Sequence, residues 1–201
     1  MYPDKIAGVK RGVTMSHDEA NHEKPNPNFG KKTGILFEKY GYDTNCQTCV
    51  VAYELRLRGY PVQAKPNRRN SKIRELSYYT NKAWIDPNTG YYPKYITFER
   101  AEDSASFFNS LEEVISKDSP NSRYTIEFAW RGRSRSGHII SLNRDESGQL
   151  RLYDPQSSEI YSGERFKFYF NRIVLSSTKV LRVDDKLPNL KMANHILKKE
   201  E

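Results

Sequence analysis

Two cysteines, Cys46 and Cys49, stand three residues apart in "TNCQTCVVAYELRLRGYPV", residues 44–62. Thiols at this spacing suit four uses: a redox pair, half of a metal site, a nucleophile with a neighbour, or two small residues in an apolar core. The residues best able to work with a thiol lie far along the chain. His138 opens "HIISL" and Asp154 closes the run "QLRLYDP". A histidine can accept a thiol proton, and a carboxylate can orient the ring and stabilise its charged form. Zinc needs more ligands than one CxxC, and no second CxxC or HxxxH follows, although His138 and Asp154 could complete a set. A thioredoxin-like pair should follow a strand in a βαβ context, whereas a polar loop precedes Cys46. His17 and His22 lie in a polar N-terminal stretch and read as exposed spacers.

Positioning these groups requires a helix and a sheet. Cys46, Cys49, Val50, Tyr53 and Leu57 recur at helical spacing and predict one apolar face on a helix over 45–58. Thr44 with Gln47 fits a capping box, with Asn45 as the other N-cap candidate. Gly59 suits the C′ position, Pro61 blocks continuation, and Arg56 and Arg58 complement the helix dipole. "SASFFNSLEEVIS" predicts a second helix over 104–116, and "NRRNSKIRELSYY" a short helical turn. "RYTIEFAW", "HIISL" and "QLRLYDP" have the period of strands, "VQAKP" suits a short one, and "FKFYFNRIVL" with "KVLRVDD" adds one or two more. Helices followed by a run of strands predict an α+β fold with an antiparallel sheet.

A hairpin centred near Glu146 would pair Leu142 with Leu150, Ile140 with Leu152, and His138 with Asp154. All six would share one face, because strand side chains alternate with a period of two. That face needs a cover, and the cysteine helix offers an apolar stripe. With its N-terminus at the His138 end, Cys46 would meet His138. There the unpaired N–H groups of the first turn favour thiolate.

The 201 residues carry a net charge of +8, with basic clusters at Lys65–Arg74, Arg131–Arg135 and after Lys186. Such a balance admits nucleic acid or an acidic partner. No Arg/Gly repeat, zinc-finger spacing or aromatic RNA-binding motif accompanies it, so a solvated basic surface is the plainer reading. No apolar run approaches the ~20 residues of a membrane span, and the N-terminus lacks the apolar core of an ordinary secretory signal. Two cysteines do not make a disulfide framework. Three regions are expected: a polar extension over 1–34, a catalytic domain over 35–187 and a fraying tail over 188–201.

These residues resemble a known family, the papain-fold toxin domain, also described as toxin glutamine deamidase. It occurs at the C-termini of bacterial polymorphic toxins and in some phage head-associated proteins. The resemblance rests on "NCQTCVVAYELRLRGYPVQAKP", "GHIISLNRD" and "LRLYDPQS", and spans roughly residues 42–185. It implies a papain-like fold in which a helix carrying the cysteine packs on an antiparallel sheet. It also implies catalytic Cys46, His138 and Asp154, with Asn45 and Gln156 assisting or stabilising an oxyanion. Papain-type peptidases also place two cysteines three apart, and there the second is the nucleophile, which points to Cys49. The Asn-Cys pair and the place nearest the helix N-terminus point to Cys46, with Cys49 lining the site or the core.

The implied reaction is thiol attack on a glutamine carboxamide of a protein substrate through a thioester, with no metal or organic cofactor. Cleavage of peptide or isopeptide bonds uses the same machinery. A non-catalytic basic binding or virion-associated module is the reading from a different class. Delivery into a target cell without a classical signal, and a cognate immunity protein, accord with the resemblance, although the sequence identifies neither target nor partner.

Overall fold

The structure is a computed structural model that describes residues 2–30, 41–68, 71–99, 103–132 and 136–200. Residues 31–34 of the expected extension, residues 35–40 of the expected catalytic domain, and Arg69, Arg133 and Arg135 of the basic clusters lie outside the described residues. The chain divides into two compact units.

The first unit comprises Met1–Pro93, Asp154–Glu159 and Lys186–Glu201. It opens with a hairpin of β1 (Lys5–Ile6) and β2 (Val9–Lys10), then α1 (His17–Asn21), which a Ser16/Glu19 capping box starts. Helix α2 (Cys46–Leu57) follows, then β3 (Val62–Ala64), α3 (Lys72–Leu76) and β4 (Trp84–Ile85). The sequence predicts one apolar face for α2, yet every residue from Gln47 to Leu57 is buried. Its polar side chains are therefore held by partners. Arg58 pairs with Glu54 at 2.8 Å, and Arg56 reaches Glu200 at 2.8 Å and the Val62 carbonyl at 3.3 Å. The helix ends as its residues dictate. Gly59 takes φ +93°, and the Tyr60 N–H returns to the Leu55 carbonyl at 3.0 Å. A side chain at 59 would also meet the Gly12 carbonyl oxygen at 2.5 Å.

The second unit comprises Lys94–Tyr153 and Ile160–Asp185. Its elements are β5 (Ile96–Thr97), α4 (Ser104–Ile115), β6 (Tyr124–Trp130), β7 (Gly137–Arg144), β8 (Leu150–Asp154), β9 (Glu159–Tyr161), α5 (Gly163–Phe170) and β10 (Ile173–Arg182), except that Asp154 of β8 and Glu159 of β9 count with the first unit. The strands form one sheet in the order β5-β10-β6-β7-β8-β9, with antiparallel pairing from β5 through β8. Ile126, Phe128, Ile140, Leu142 and Leu152 of one face cluster with Phe107, Leu111 and Ile115 of α4 and with Phe166, Tyr169 and Phe170 of α5. The cover expected from the cysteine helix is thus supplied here by α4 and α5.

"FKFYF", expected as a strand, lies in α5. Phe166, Tyr169 and Phe170 recur at i, i+3 and i+4 and are buried, while Phe168 is exposed. Packing selected the helical reading of an ambiguous aromatic run.

The hairpin register also differs from expectation. Leu142 pairs with Leu152 and Arg144 with Leu150, and the ladder runs no further than Ser141–Tyr153. His138–Asp154 is not among its pairs. The cause is the turn. Asp145 accepts from the N–H groups of Ser147 and Gln149 at 2.9 and 3.0 Å, and Gly148 takes φ +81°. The five residues between the strands, closed by the Asp145 N–H on the Gln149 carbonyl at 2.8 Å, are centred on Ser147 rather than Glu146, which moves each partner by two and preserves which face each side chain occupies.

The expected fraying after Pro188 does not occur. β11 (Leu187–Pro188) pairs with β4, α6 (Leu190–Ile196) follows, and β12 (Leu197–Lys199) pairs with β3, all within the first unit. Ile196 and Leu197 are buried, so this segment has apolar anchors beneath its lysines. No helix among the described residues is long and apolar enough to cross a membrane.

Candidate active site

Cys46 is the first residue of α2, and Asn45 is its N-cap. Neither expected capping interaction forms. The Asn45 side chain makes no cap hydrogen bond, and Gln47 points elsewhere. Gln47 Nε2 donates to the Ile73 carbonyl and to Ser77 Oγ, both at 2.9 Å, which anchors α2 to α3. Its Oε1 is thereby turned toward Cys46, whose thiol donates to it across 3.6 Å. Asn45 instead serves a buried polar network. Its Oδ1 accepts from Cys49 Sγ, Asn26 Nδ2 and Gln156 Nε2, each at 3.3 Å. Its Nδ2 donates to Asn26 Oδ1 at 3.3 Å and to the Lys65 carbonyl at 3.2 Å.

The two cysteines therefore have different surroundings. Cys46 is partly exposed, whereas Cys49 is fully buried. Burial pushes the Cys49 thiol well above the usual range, and the neighbouring Cys46 and Asp154 push it further. That suits a packed thiol and not a ready thiolate.

Asp154 and Gln156 come to this network from the end of β8 and the turn after it. Asp154 Oδ1 accepts from the Gln156 N–H at 2.9 Å, and its carbonyl accepts from the Ser158 N–H at 2.8 Å. Gln156 Nε2 is shared between Asn45 Oδ1 and the Tyr42 carbonyl, and the Gln156 carbonyl accepts from Asn26 Nδ2 at 3.2 Å. Asn26, Asn45, Asp154 and Gln156 are each at most 8% exposed. An unmet polar group there would cost about 1–3 kcal/mol, so the mutual satisfaction is what permits the burial.

His138 belongs to the second unit, near the start of β7 opposite Phe128 on β6. Its ring stacks on Trp130 with centroids 5.8 Å apart and meets Phe128 edge-on at 6.1 Å. The preceding Gly137 has a steric reason. A Cβ there would lie 2.9 Å from the Phe128 carbonyl oxygen, so only glycine lets β6 approach so closely. Of the six residues singled out from sequence, Asn45, Cys46, Cys49, Asp154 and Gln156 share the first unit, and His138 stands in the second.

Sequence reasoning missed Asn26, which sat in a stretch read as an extension, and it assigned Gln47 to a cap. No local pattern marks Asn26, because its partners lie 16, 19 and 130 residues away. Among the described residues, no group of three or more His, Cys, Asp or Glu is arranged to hold a metal ion.

A comparison with curated proteins finds none that matches. Residues 44–159 match the family model described as papain fold toxin 1, glutamine deamidase, a span that covers more than half of the chain and contains all six candidate residues. This α+β chain, with the cysteine at the start of its helix and an antiparallel sheet, therefore belongs to the papain-fold toxin, glutamine deamidase, family.

Proposed function

We propose that this protein is a toxin amidohydrolase that deamidates a glutamine side chain of a protein substrate, with Cys46 as nucleophile. The observation that carries this reading is the unequal pair of thiols: Cys46 is partly exposed at the first residue of the helix, and Cys49 is sealed beneath it. His138 takes the thiol proton, and Asp154 steadies the charged imidazole. The thiolate attacks the carboxamide carbon, and backbone N–H groups of the first turn of α2 receive the oxyanion; the Asn45 side chain does not cap that turn, while the Thr48 and Cys49 N–H groups are given to the Asn45 carbonyl. The proton on His138 passes to the departing ammonia. Water, activated by the same histidine, then opens the thioester to glutamate.

Asn45 and Gln156 act as positioning residues in this scheme. Their amide N–H groups are already given to Asn26, Lys65, Tyr42 and Asn45 itself. No metal or organic cofactor enters the scheme.

The test is expression of wild type, Cys46→Ala, Cys49→Ala and His138→Ala in bacterial and eukaryotic cells, with folding checked by circular dichroism. Cys46→Ala and His138→Ala should lose toxicity, with turnover reduced at least about 10³-fold, while Cys49→Ala keeps it. Equal behaviour of all four folded proteins would sink the catalytic reading. Silence of Cys49→Ala alone would move the nucleophile. Release of ammonia from an uncut substrate marks deamidation, whereas a cut chain marks a peptidase or isopeptidase.

A further inference from the structure

The stretch from α3 to Pro93 lends no group to the reaction, yet it shows four tyrosines to solvent. Tyr78, Tyr79, Tyr91 and Tyr92 are between 49% and 77% exposed. They stand on an ordered scaffold. The same stretch buries Leu76, Thr80, Ala83 and Trp84, and Thr80 Oγ1 donates to the Leu76 carbonyl at 3.1 Å. Asn81 Nδ2 donates to the Pro93 carbonyl at 2.9 Å, which ties the segment after Tyr79 to the one after Tyr92. The Lys82 ammonium lies 4.5 Å from the centre of the Tyr79 ring and pairs with Glu75 at 3.2 Å. The turn before Tyr91 is closed by the Asp86 N–H on the Tyr91 carbonyl at 2.9 Å and the Gly90 N–H on the Asp86 carbonyl at 2.8 Å. Aromatic side chains rooted in this way lose little freedom when a partner covers them.

Charge and place say what that partner is. Lys72 and Arg74 project from α3 to solvent, and neither has a carboxylate partner among the described residues. The neighbouring acids are already answered, Glu75 by Lys82 and Asp86 by Lys186 at 3.1 Å. The surface therefore joins aromatic area to two unmet cations, within the first of the basic clusters seen in the sequence. Its place is beside the nucleophile. Gln47, whose Oε1 faces the Cys46 thiol, donates to the Ile73 carbonyl in α3 and to Ser77 Oγ, and Tyr78 is the next residue.

We propose that this surface docks an acidic segment of the protein substrate, adjoining the glutamine that reaches Cys46. Such a dock rests on the deamidation reading of Cys46 and adds to it the class of substrate segment. Glutamate or aspartate side chains meet Lys72 and Arg74, which sets orientation and speeds encounter. Apolar side chains beside them lie on the tyrosine rings, whose hydroxyls can bond the segment's backbone. Nucleic acid fits less well, because two unmet cations answer two phosphates where firm binding uses about 6–10.

The test is fluorescence anisotropy at fixed low ionic strength, with the full chain carrying Cys46→Ala and a set of labelled peptides. Each peptide has a central glutamine between leucines, flanked by glutamate, serine or lysine. Cys46→Ala removes turnover, so loss of docking is read apart from loss of deamidation, which the toxicity and ammonia measurements report. The glutamate peptide should bind at least about tenfold more tightly than the lysine peptide. Lys72→Glu/Arg74→Glu should reverse that order, and Lys72→Gln/Arg74→Gln should erase it. Tyr78→Ser/Tyr91→Ser should weaken the glutamate peptide about fivefold or more and keep the order. All six side chains lie on the surface, so thermal midpoints should match the parent's, which separates a lost dock from a lost fold. Absence of saturable binding, no preference for glutamate, or a preference that survives charge reversal would overturn the proposal. So would a single-stranded RNA that outcompetes every peptide, or a dimer in sedimentation that the tyrosine variant abolishes, since the occupant would then be a nucleic acid or a second copy.

Discussion

The two units solve burial in opposite ways. In the second, α4 and α5 lay aromatic and aliphatic side chains on one face of a sheet, in a cluster that includes Phe107, Phe170, Ile126 and Ile140. In the first, the central helix is sealed although its sequence is rich in polar groups, and Glu54, Arg56, Arg58, Gln47 and Thr48 are all buried. The apolar cluster tolerates changes that keep its volume. The polar helix does not, because its buried groups depend on specific directional partners. The lesson is where precision lies: the unit that carries the cysteines is held by directional bonds, which suits a site whose thiol must be placed accurately.

Substitutions can break this contrast, beginning with the largest effect. Phe107→Ala should cost about 3–5 kcal/mol in denaturant unfolding, since Phe107 is fully buried among Phe98, Phe108 and Phe170. Replacement by Leu should recover much of that loss. Arg58→Ala should cost about 3 kcal/mol, because it leaves the Glu54 carboxylate buried without its 2.8 Å partner. Here no change at position 58 to a similar apolar volume restores stability unless Glu54 is neutralised too. Recovery by Arg58→Met alone would show that packing governs the first unit as well.

Asn45→Ala should cost about 1–3 kcal/mol and leave Gln156, Asn26 and Cys49 each short of an acceptor. It should also slow alkylation or turnover at Cys46 with the fold retained. An unchanged rate would remove Asn45 from the positioning role.

The smallest effect concerns Glu127, a polar exception within the second unit. Its Oε2 is buried without a hydrogen-bond partner, and burial raises its carboxyl above the usual range against weaker pulls from Lys179 and Tyr95. A carboxyl raised in the folded state contributes stability that is present below its unfolded pKa and lost as pH rises through the folded value. Glu127→Gln should therefore gain on wild type as pH climbs from the acid range to neutrality. Urea midpoints across that range should diverge, and a pH-independent offset would refute the assignment.

Local rules carried far where neighbours in sequence decide the outcome. The cysteine helix and its stop at Gly59, the helix over Ser104–Ile115 and the strands β6, β7 and β8 were legible, because periodicity and turn residues act within a few positions. The motifs around Cys46, His138 and Asp154 were legible for the same reason. The cap was not, because Asn45 has a better offer from Asn26 and Gln156 than from its own helix.

By itself, then, the sequence determined the α+β class, the helix that presents Cys46 and the family to which the chain belongs. Tertiary structure decided the rest. It made "GERFKFYF" a helix by offering Phe166, Tyr169 and Phe170 a core. It set the β7–β8 register through the conformation of Gly148. It folded the basic tail back as α6 and β12, and it separated two chemically identical thiols by burying one. The aromatic helix, the returning tail and the buried thiol turn on partners far apart in sequence, where no period or turn rule reaches; the register turned on a local choice of turn centre.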